Sequence, residues 1–190
     1  MQEAVPTGGA MTAVLGLDAA VIEEVCEKTE GIVSIANYNC PGQIVITGEE
    51  AAVARAAESL KEAGAKRTVA LKVSGPFHSK MLTGAGEKLG EALKEVELHD
   101  FSTPYITNVT ADYVTSPAGV KELLRLQVSS SVRWQQSVER MIADGVDTFV
   151  EIGPGKTLSG FMRKIDRSAK TLNIENMADF EKAMAELKGE

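Results

Sequence analysis

The stretch Asn37-Tyr-Asn-Cys-Pro-Gly-Gln-Ile-Val-Ile-Thr-Gly-Glu-Glu50 decides how the first part of this chain is read. Ile32 to Ala36 just before it, and Gln43 to Thr47 within it, are rich in β-branched residues. Between them Asn37 to Gly42 carries the Asn, Pro and Gly of a turn, so two strands joined by a turn are expected. Thr47-Gly-Glu-Glu50 reads as a capping box, and Val53, Ala57 and Leu60 then recur at helical spacing up to Gly64. Working outward toward the N-terminus, Met11-Thr-Ala-Val-Leu-Gly-Leu17 is a short apolar strand. Asp18 can cap the helix after it, which turns Val21, Ile22 and Val25 inward and stops before Gly31. Working outward the other way, Arg67 to Val73 alternates Val69, Leu71 and Val73 against Thr68, Ala70 and Lys72, a strand with one buried face. The order over residues 11–74 is β-α-β-β-α-β, the ferredoxin-like arrangement, with residues 1–10 as a lead-in.

After Gly75-Pro76 the pattern changes. Ser79 can cap a long helix with Leu82, Ala85, Leu89, Leu93 and Val96 inward, and Thr103 to Val109 reads as a strand. Ser116-Pro117 opens a helix through Leu123 and Leu124, and Trp134, Val138 and Met141 mark another that ends at Gly145. Asp147 to Ile152 is expected as a buried strand. Gly153-Pro-Gly155 turns it into a helix with Leu158, Phe161, Met162 and Ile165 apolar. Leu172 to Ile174 and Met177 to Leu187 follow as a last strand and a last helix. Alternating strands and helices imply an α/β domain over residues 75–190, with a parallel sheet covered on both faces. Few strands are available for that sheet, and it starts on a His-bearing turn, so a missing segment in front of it is expected.

Composition narrows the function classes. The 190 residues carry 20 Lys and Arg against 27 Asp and Glu, a net charge of −7. That balance leaves no footprint for nucleic acid or an anionic membrane. Apolar runs stop far short of the roughly 20 residues that cross a bilayer, and no basic n-region opens the chain, so a cytoplasmic protein is expected. Cys26 and Cys40 lack a C-x-x-C spacing and read as reduced packing thiols rather than a disulfide framework or zinc ligands. Asn108-Val-Thr110 matches a glycosylation sequon only by composition, since no secretory route is visible.

Two glycine-rich stretches resemble phosphate loops. Gly153-Pro-Gly-Lys-Thr157 would need its first P-loop glycine at Val150, so a tight turn is the better reading, although its helix amides would point out at the sheet's carboxyl edge. Gly84-Ala-Gly86 to Gly90 lies inside a helix pattern and is structural. Of the two histidines, His99 falls in a polar loop and reads as solvated. His78 stands in Ser74-Gly-Pro-Phe-His-Ser79, between a strand end and a Ser-capped helix start. The positive end of a helix disfavours imidazolium, so a neutral His78 able to accept a proton is reasonable, as is an ordinary surface histidine. No Gly-x-Ser-x-Gly occurs, and neither cysteine has an activating context, Cys40 in its turn being the less buried, so the base has no evident nucleophile in this chain.

Met1-Gln-Glu-Ala-Val-Pro6, Met11 to Leu17, Asn37 to Gly48, Gly75-Pro-Phe-His-Ser79, Asn108-Val-Thr110 and Glu151-Ile-Gly-Pro-Gly155 together resemble, in order, the malonyl-CoA:acyl carrier protein transacylase family. The resemblance covers roughly the C-terminal two thirds of that enzyme. It implies a ferredoxin-like subdomain set into an α/β-hydrolase-like domain, and ping-pong transfer of malonyl from coenzyme A through an acyl-serine to the phosphopantetheine thiol of acyl carrier protein. It also implies that no cofactor is bound, and that the coenzyme A thioester is a substrate. By resemblance, His78 is the catalytic base and acid, and the backbone carbonyl of Gln127 orients it. Phe77, directly before the histidine, goes with malonyl in related acyltransferases, and Asn37, Asn39 and Asn108 match residues bordering the cleft. The family's serine elbow, oxyanion-hole groups and malonate-binding arginine all precede the segment that matches Met1, so the chain alone is expected to be inactive. A missing N-terminal segment or a partner chain would have to supply them. The 75–190 part would then expose apolar surface and be marginally stable or oligomeric. The alternatives are a non-catalytic module that docks carrier protein or an acyl ligand and, less favoured, a nucleotide-binding enzyme at Lys156.

Overall fold

The computed structural model describes residues 7–73 and 75–189; the Met1 to Pro6 motif, Ser74 and Glu190 lie outside the described residues. The chain divides into two compact units, Met1–Ser137 and Val138–Glu190.

The first unit opens with β1 (Gly9–Leu15), α1 (Ala19–Lys28), β2 (Val33–Cys40), β3 (Gln43–Glu49), α2 (Glu50–Glu62) and β4 (Arg67–Ala70). The strands form one antiparallel sheet in the order β2-β3-β1-β4, the ferredoxin-like order. One face meets α1 and α2 through Val14, Ile22, Ile35, Ile46, Val53 and Leu60, all buried. The opposite face carries Met11, Ala36 and Val45, also buried.

Four local expectations change. β2 runs on to Cys40, so Asn37 and Asn39 lie in a strand and the turn shrinks to Pro41-Gly42, where Gly42 takes a φ of +68°. Two register shifts in β2, at Ile35/Asn37 and Tyr38/Cys40, absorb the extra residues. The outer edge of β2 gains a partner as well: Tyr38 N donates to Val132 O at 2.9 Å, and Val132 N to Ala36 O at 2.7 Å. Long-range pairing therefore overrides the turn chemistry of the asparagines. The capping box does not form, because the β1/β3 ladder continues to Glu49 and keeps Thr47 in the strand. Thr47 is buried with its Oγ1 unpartnered, and Glu49 Oε2 instead accepts from Ile32 N at 3.0 Å. Asp18 does sit at the start of α1, without a side-chain capping bond. β4 stops at Ala70, and Leu71 and Val73 are exposed.

The rest of this unit holds α3 (Thr83–Leu93), the short antiparallel pair β5 (Tyr105–Ile106) and β6 (Tyr113–Val114), and α4 (Val120–Gln127). Ser79 caps a 3₁₀ turn, Lys80–Leu82, that runs directly into α3 and forms the first turn of the helix expected there, with its Oγ accepting from Met81 N at 3.2 Å. Leu82 is buried, whereas Leu89 and Val96 are exposed. The division between the units falls within α5 (Trp134–Ala143).

The second unit contains β7 (Thr148–Ile152), α6 (Thr157–Ile165), β8 (Lys170–Ile174) and α7 (Met177–Lys188). β7 and β8 pair in parallel, and Val150 and Ile152 share a sheet face with their register partners Leu172 and Ile174. The buried strand expected here is not buried: Val150 is 37% and Ile152 77% exposed. The helices explain this. Ser159 and Arg163 of α6, Thr171 and Asn173 of β8, and Lys182 and Ala183 of α7 line one groove, so both helices cover the Thr171 face and leave the other open.

Candidate active site

His78 is held from both sides. Pro76 is fully buried, and it seats where only a glycine fits, since a Cβ on Gly9 would fall 2.3 Å from the proline ring. Phe77 packs against the Met11, Ala36 and Val45 face of the sheet, and Ser79 is fully buried. Between these anchors His78 is half-buried and takes a φ of +58°, a conformation uncommon for a residue with a side chain. Such backbone strain persists only where the surroundings over-determine it.

The imidazole meets the end of α4. His78 Nδ1 lies 3.2 Å from the backbone oxygen of Gln127, the last residue of that helix, whose carbonyl has no partner within the helix. A carbonyl oxygen only accepts, so in the neutral ring Nδ1 carries the hydrogen and Nε2 keeps a bare lone pair. The dipole reasoning from sequence needs amending here. A 3₁₀ turn running into α3 does follow the histidine, but the group that touches the ring is a helix C-terminal carbonyl.

Asn108 joins this pair. Its Nδ2 donates to Gln127 Oε1 at 3.3 Å, and its backbone oxygen accepts from Arg133 N at 3.1 Å. The segment before Arg133 is itself tied to the sheet, through the Val132 bonds and through Ser131 Oγ donating to Ile35 O at 2.6 Å. Thus His78, Gln127 and Asn108 come together, and Phe77 links them to the sheet. Asn37 enters this frame by its backbone bridge to Val132, while neither its side chain nor that of Asn39 is hydrogen-bonded to the histidine.

Ser131, Val132 and Arg133 were not legible as site residues; nothing in Ser-Val-Arg announces a strand that pairs with β2. The Arg133 guanidinium lies 5.8 Å from the centre of the Tyr38 ring. Tyr38 OH donates to Glu23 Oε1 at 2.6 Å, and burial, then this bond, pushes its hydroxyl well above the usual phenol range.

Other candidates fall away on geometry. At the Gly153 turn, Glu151 accepts from Leu158 N at 3.0 Å, Ser159 N at 2.8 Å and Ser159 Oγ at 2.6 Å. The helix amides expected to point outward are therefore taken. Gly155 N donates to Glu175 Oε1 at 2.5 Å, and Lys156 lies 4.0 Å from the same carboxylate, so the loop presents no phosphate cradle. Cys40 is fully buried, against the expectation of a more exposed thiol, and burial, with Glu23 and Glu27, pushes the Cys26 thiol up to about 12. His99 is exposed. Among the described residues no group of three or more His, Cys, Asp or Glu is placed to hold a metal ion, and no helix is long and apolar enough to cross a membrane. A cavity of about 780 Å³ lies over α2, β1 and β4 and includes none of these site residues.

Known proteins share this fold. The malonyl CoA-acyl carrier protein transacylase of Bacillus subtilis (strain 168) is 48% identical over 194 residues, which take in 100% of this chain and 61% of that protein. The crystal structure of the malonyl CoA-acyl carrier protein transacylase from Clostridium perfringens superposes with a TM-score of 0.94 at 43% identity, over 100% of this chain and 60% of that one. A malonyl-transacylase solved in complex with its type II PKS acyl-carrier protein gives a TM-score of 0.93 at 37% identity, over 97% of this chain and 61% of that one. The chain thus spans about three fifths of the length of the curated relatives it matches. Residues 1–182 match the acyl transferase domain family, and the chain belongs to that family.

Proposed function

We propose that this chain carries the histidine of a malonyl-CoA:acyl carrier protein transacylase. The observation that supports it best is the Gln127 carbonyl against His78 Nδ1, which leaves Nε2 free to take a proton. The serine nucleophile and the arginine that pairs with the malonyl carboxylate come from sequence beyond these 190 residues, which hold no Gly-x-Ser-x-Gly. On this reading residues 11–74 are a ferredoxin-like subdomain and residues 75–190 the C-terminal part of an α/β-hydrolase-like domain, with residues 1–10 leading in from it.

In the first half-reaction His78 Nε2 accepts the serine Oγ proton as Oγ attacks the thioester carbonyl of malonyl-CoA. Collapse of the tetrahedral adduct breaks the C–S bond, and the coenzyme A sulfur leaves with the proton from Nε2. In the second half-reaction Nε2 takes the proton of the phosphopantetheine thiol, the sulfur attacks the malonyl-serine, and serine Oγ departs with that proton. Throughout, the Nδ1–H bond to Gln127 steadies the imidazolium form. Phe77 beside the histidine narrows the acyl site toward malonyl, and Asn37 and Asn39 border the cleft.

Two measurements test this. In an intact transacylase containing this segment, His78→Ala should lower kcat/KM for malonyl transfer about 10²- to 10⁴-fold; unchanged transfer with carrier-protein binding retained would point instead to a docking module. The 190-residue chain incubated with malonyl-CoA should show no acyl adduct by intact mass. A stable adduct would overturn the division of labour.

A further inference from the structure

We infer that Asn108 is a positioning residue for the histidine, acting through the side chain of Gln127, rather than a substrate contact. This rests on the function proposed above. Gln127 touches His78 only by its backbone oxygen, and a helix-terminal carbonyl is free to fray with the last turn. Its side chain, however, is held by Asn108 Nδ2 at 3.3 Å. Asn108 is in turn anchored by its own backbone oxygen, which accepts from Arg133 N, at the end of the segment bonded to β2.

A chain of hydrogen bonds therefore runs from the sheet through Val132, Arg133 and Asn108 to Gln127. Its end is the carbonyl that selects the Nδ1–H tautomer. Asn108, Leu123, Leu124 and Gln127 also line a cavity of about 160 Å³ at this junction, while α3 packs the other side of α4, where a Cβ on Gly86 would fall 2.7 Å from Arg125 O. The Asn108 amide clamps the helix end.

The test reads the tautomer and not turnover, so it is independent of whether the acyl-transfer reading holds. In the ¹⁵N-labelled 190-residue chain, long-range ¹H–¹⁵N correlation above the histidine titration should show His78 mainly as the Nδ1–H tautomer. Asn108→Ala should raise the Nε2–H fraction about fivefold, the loss of one ordinary hydrogen bond. Gln127→Ala keeps the backbone carbonyl but removes the same clamp from its other end. It should produce the same change, and the double variant no more than either single one. Gln127→Glu, which still accepts from Asn108, should restore the original tautomer. Should Asn108→Ala not fold, the two Gln127 variants carry the test alone. A tautomer unmoved by Gln127→Ala overturns the inference, as does an additive double variant. Failure of the acyl-transfer reading would appear elsewhere, as unchanged transfer in His78→Ala.

Discussion

The sheet of β1 to β4 with α1 and α2, and the β7-α6-β8-α7 unit, are built from similar strand and helix patterns but are held together differently. In the first, Val14, Ile22, Ile46 and Leu60 are fully buried, while α1 and α2 start at Asp18 and Glu49 with no side-chain cap. In the second, Ile152 and Met177 are 77% and 69% exposed, and the helices are pinned by polar contacts instead. Glu151 caps α6, Asn176 Oδ1 accepts from Asp179 N at the start of α7, and Lys156 and Lys170 pair with Glu175 and Glu186. Where a helix can bury a full apolar stripe, its ends need little help; where it cannot, caps and ion pairs take a larger share.

The sharpest way to break that comparison is the same substitution in both regions. Ile46→Ala, fully buried between β1 and β2, should cost about 2–5 kcal/mol in denaturant unfolding followed by circular dichroism. Glu151→Ala should come next, at about 1–2 kcal/mol, read as faster hydrogen exchange confined to the α6 amides. Acid should reproduce it. Desolvation raises the Glu151 pKa, but the bonds from Ser159 and Leu158 outweigh this and hold the carboxyl below the usual range. Its contribution is therefore complete at neutral pH, above the ordinary carboxylate range, and is lost as pH falls through that depressed value. Tyr38→Phe, which removes the bond to Glu23, should cost about 1 kcal/mol by the same unfolding measurement. Ile152→Ala should cost under about 0.5 kcal/mol; a loss as large as that at Ile46 would mean that the β7–β8 face is covered in solution.

Much of the fold was legible because the relevant forces are local. Short apolar and β-branched runs and helical spacing placed β1, β3, α1 and α2 within a residue or two, and Pro76-Phe-His78 announced itself by chemistry and resemblance. The misreadings share a cause. Asn37 and Asn39 have turn chemistry, yet Val132, nearly a hundred residues away, offers β2 an edge to pair with. Thr47 and Glu50 have cap chemistry, yet the β1 ladder holds Thr47 in a strand. Val150 and Ile152 have buried-strand chemistry, yet α6 and α7 cover only the other face. In each case the deciding partner is distant in sequence and leaves no periodic trace at the site it decides.

From sequence alone came most of the order of elements, the short β6 excepted, together with the absence of a serine elbow and of a metal cluster pattern and the candidacy of His78, because composition, spacing and motif are properties of the chain itself; Gln127 became a candidate only through the family resemblance. Tertiary structure alone decided which atom of Gln127 meets which nitrogen of His78, that Asn108 grips the same glutamine, and that Glu151 closes the Gly153 turn. Hydrogen bonds are directional and act over about 3 Å. Their existence depends on where residues 19 and 49 apart, or a strand and the helix after it, come to rest, and no local rule carries that information.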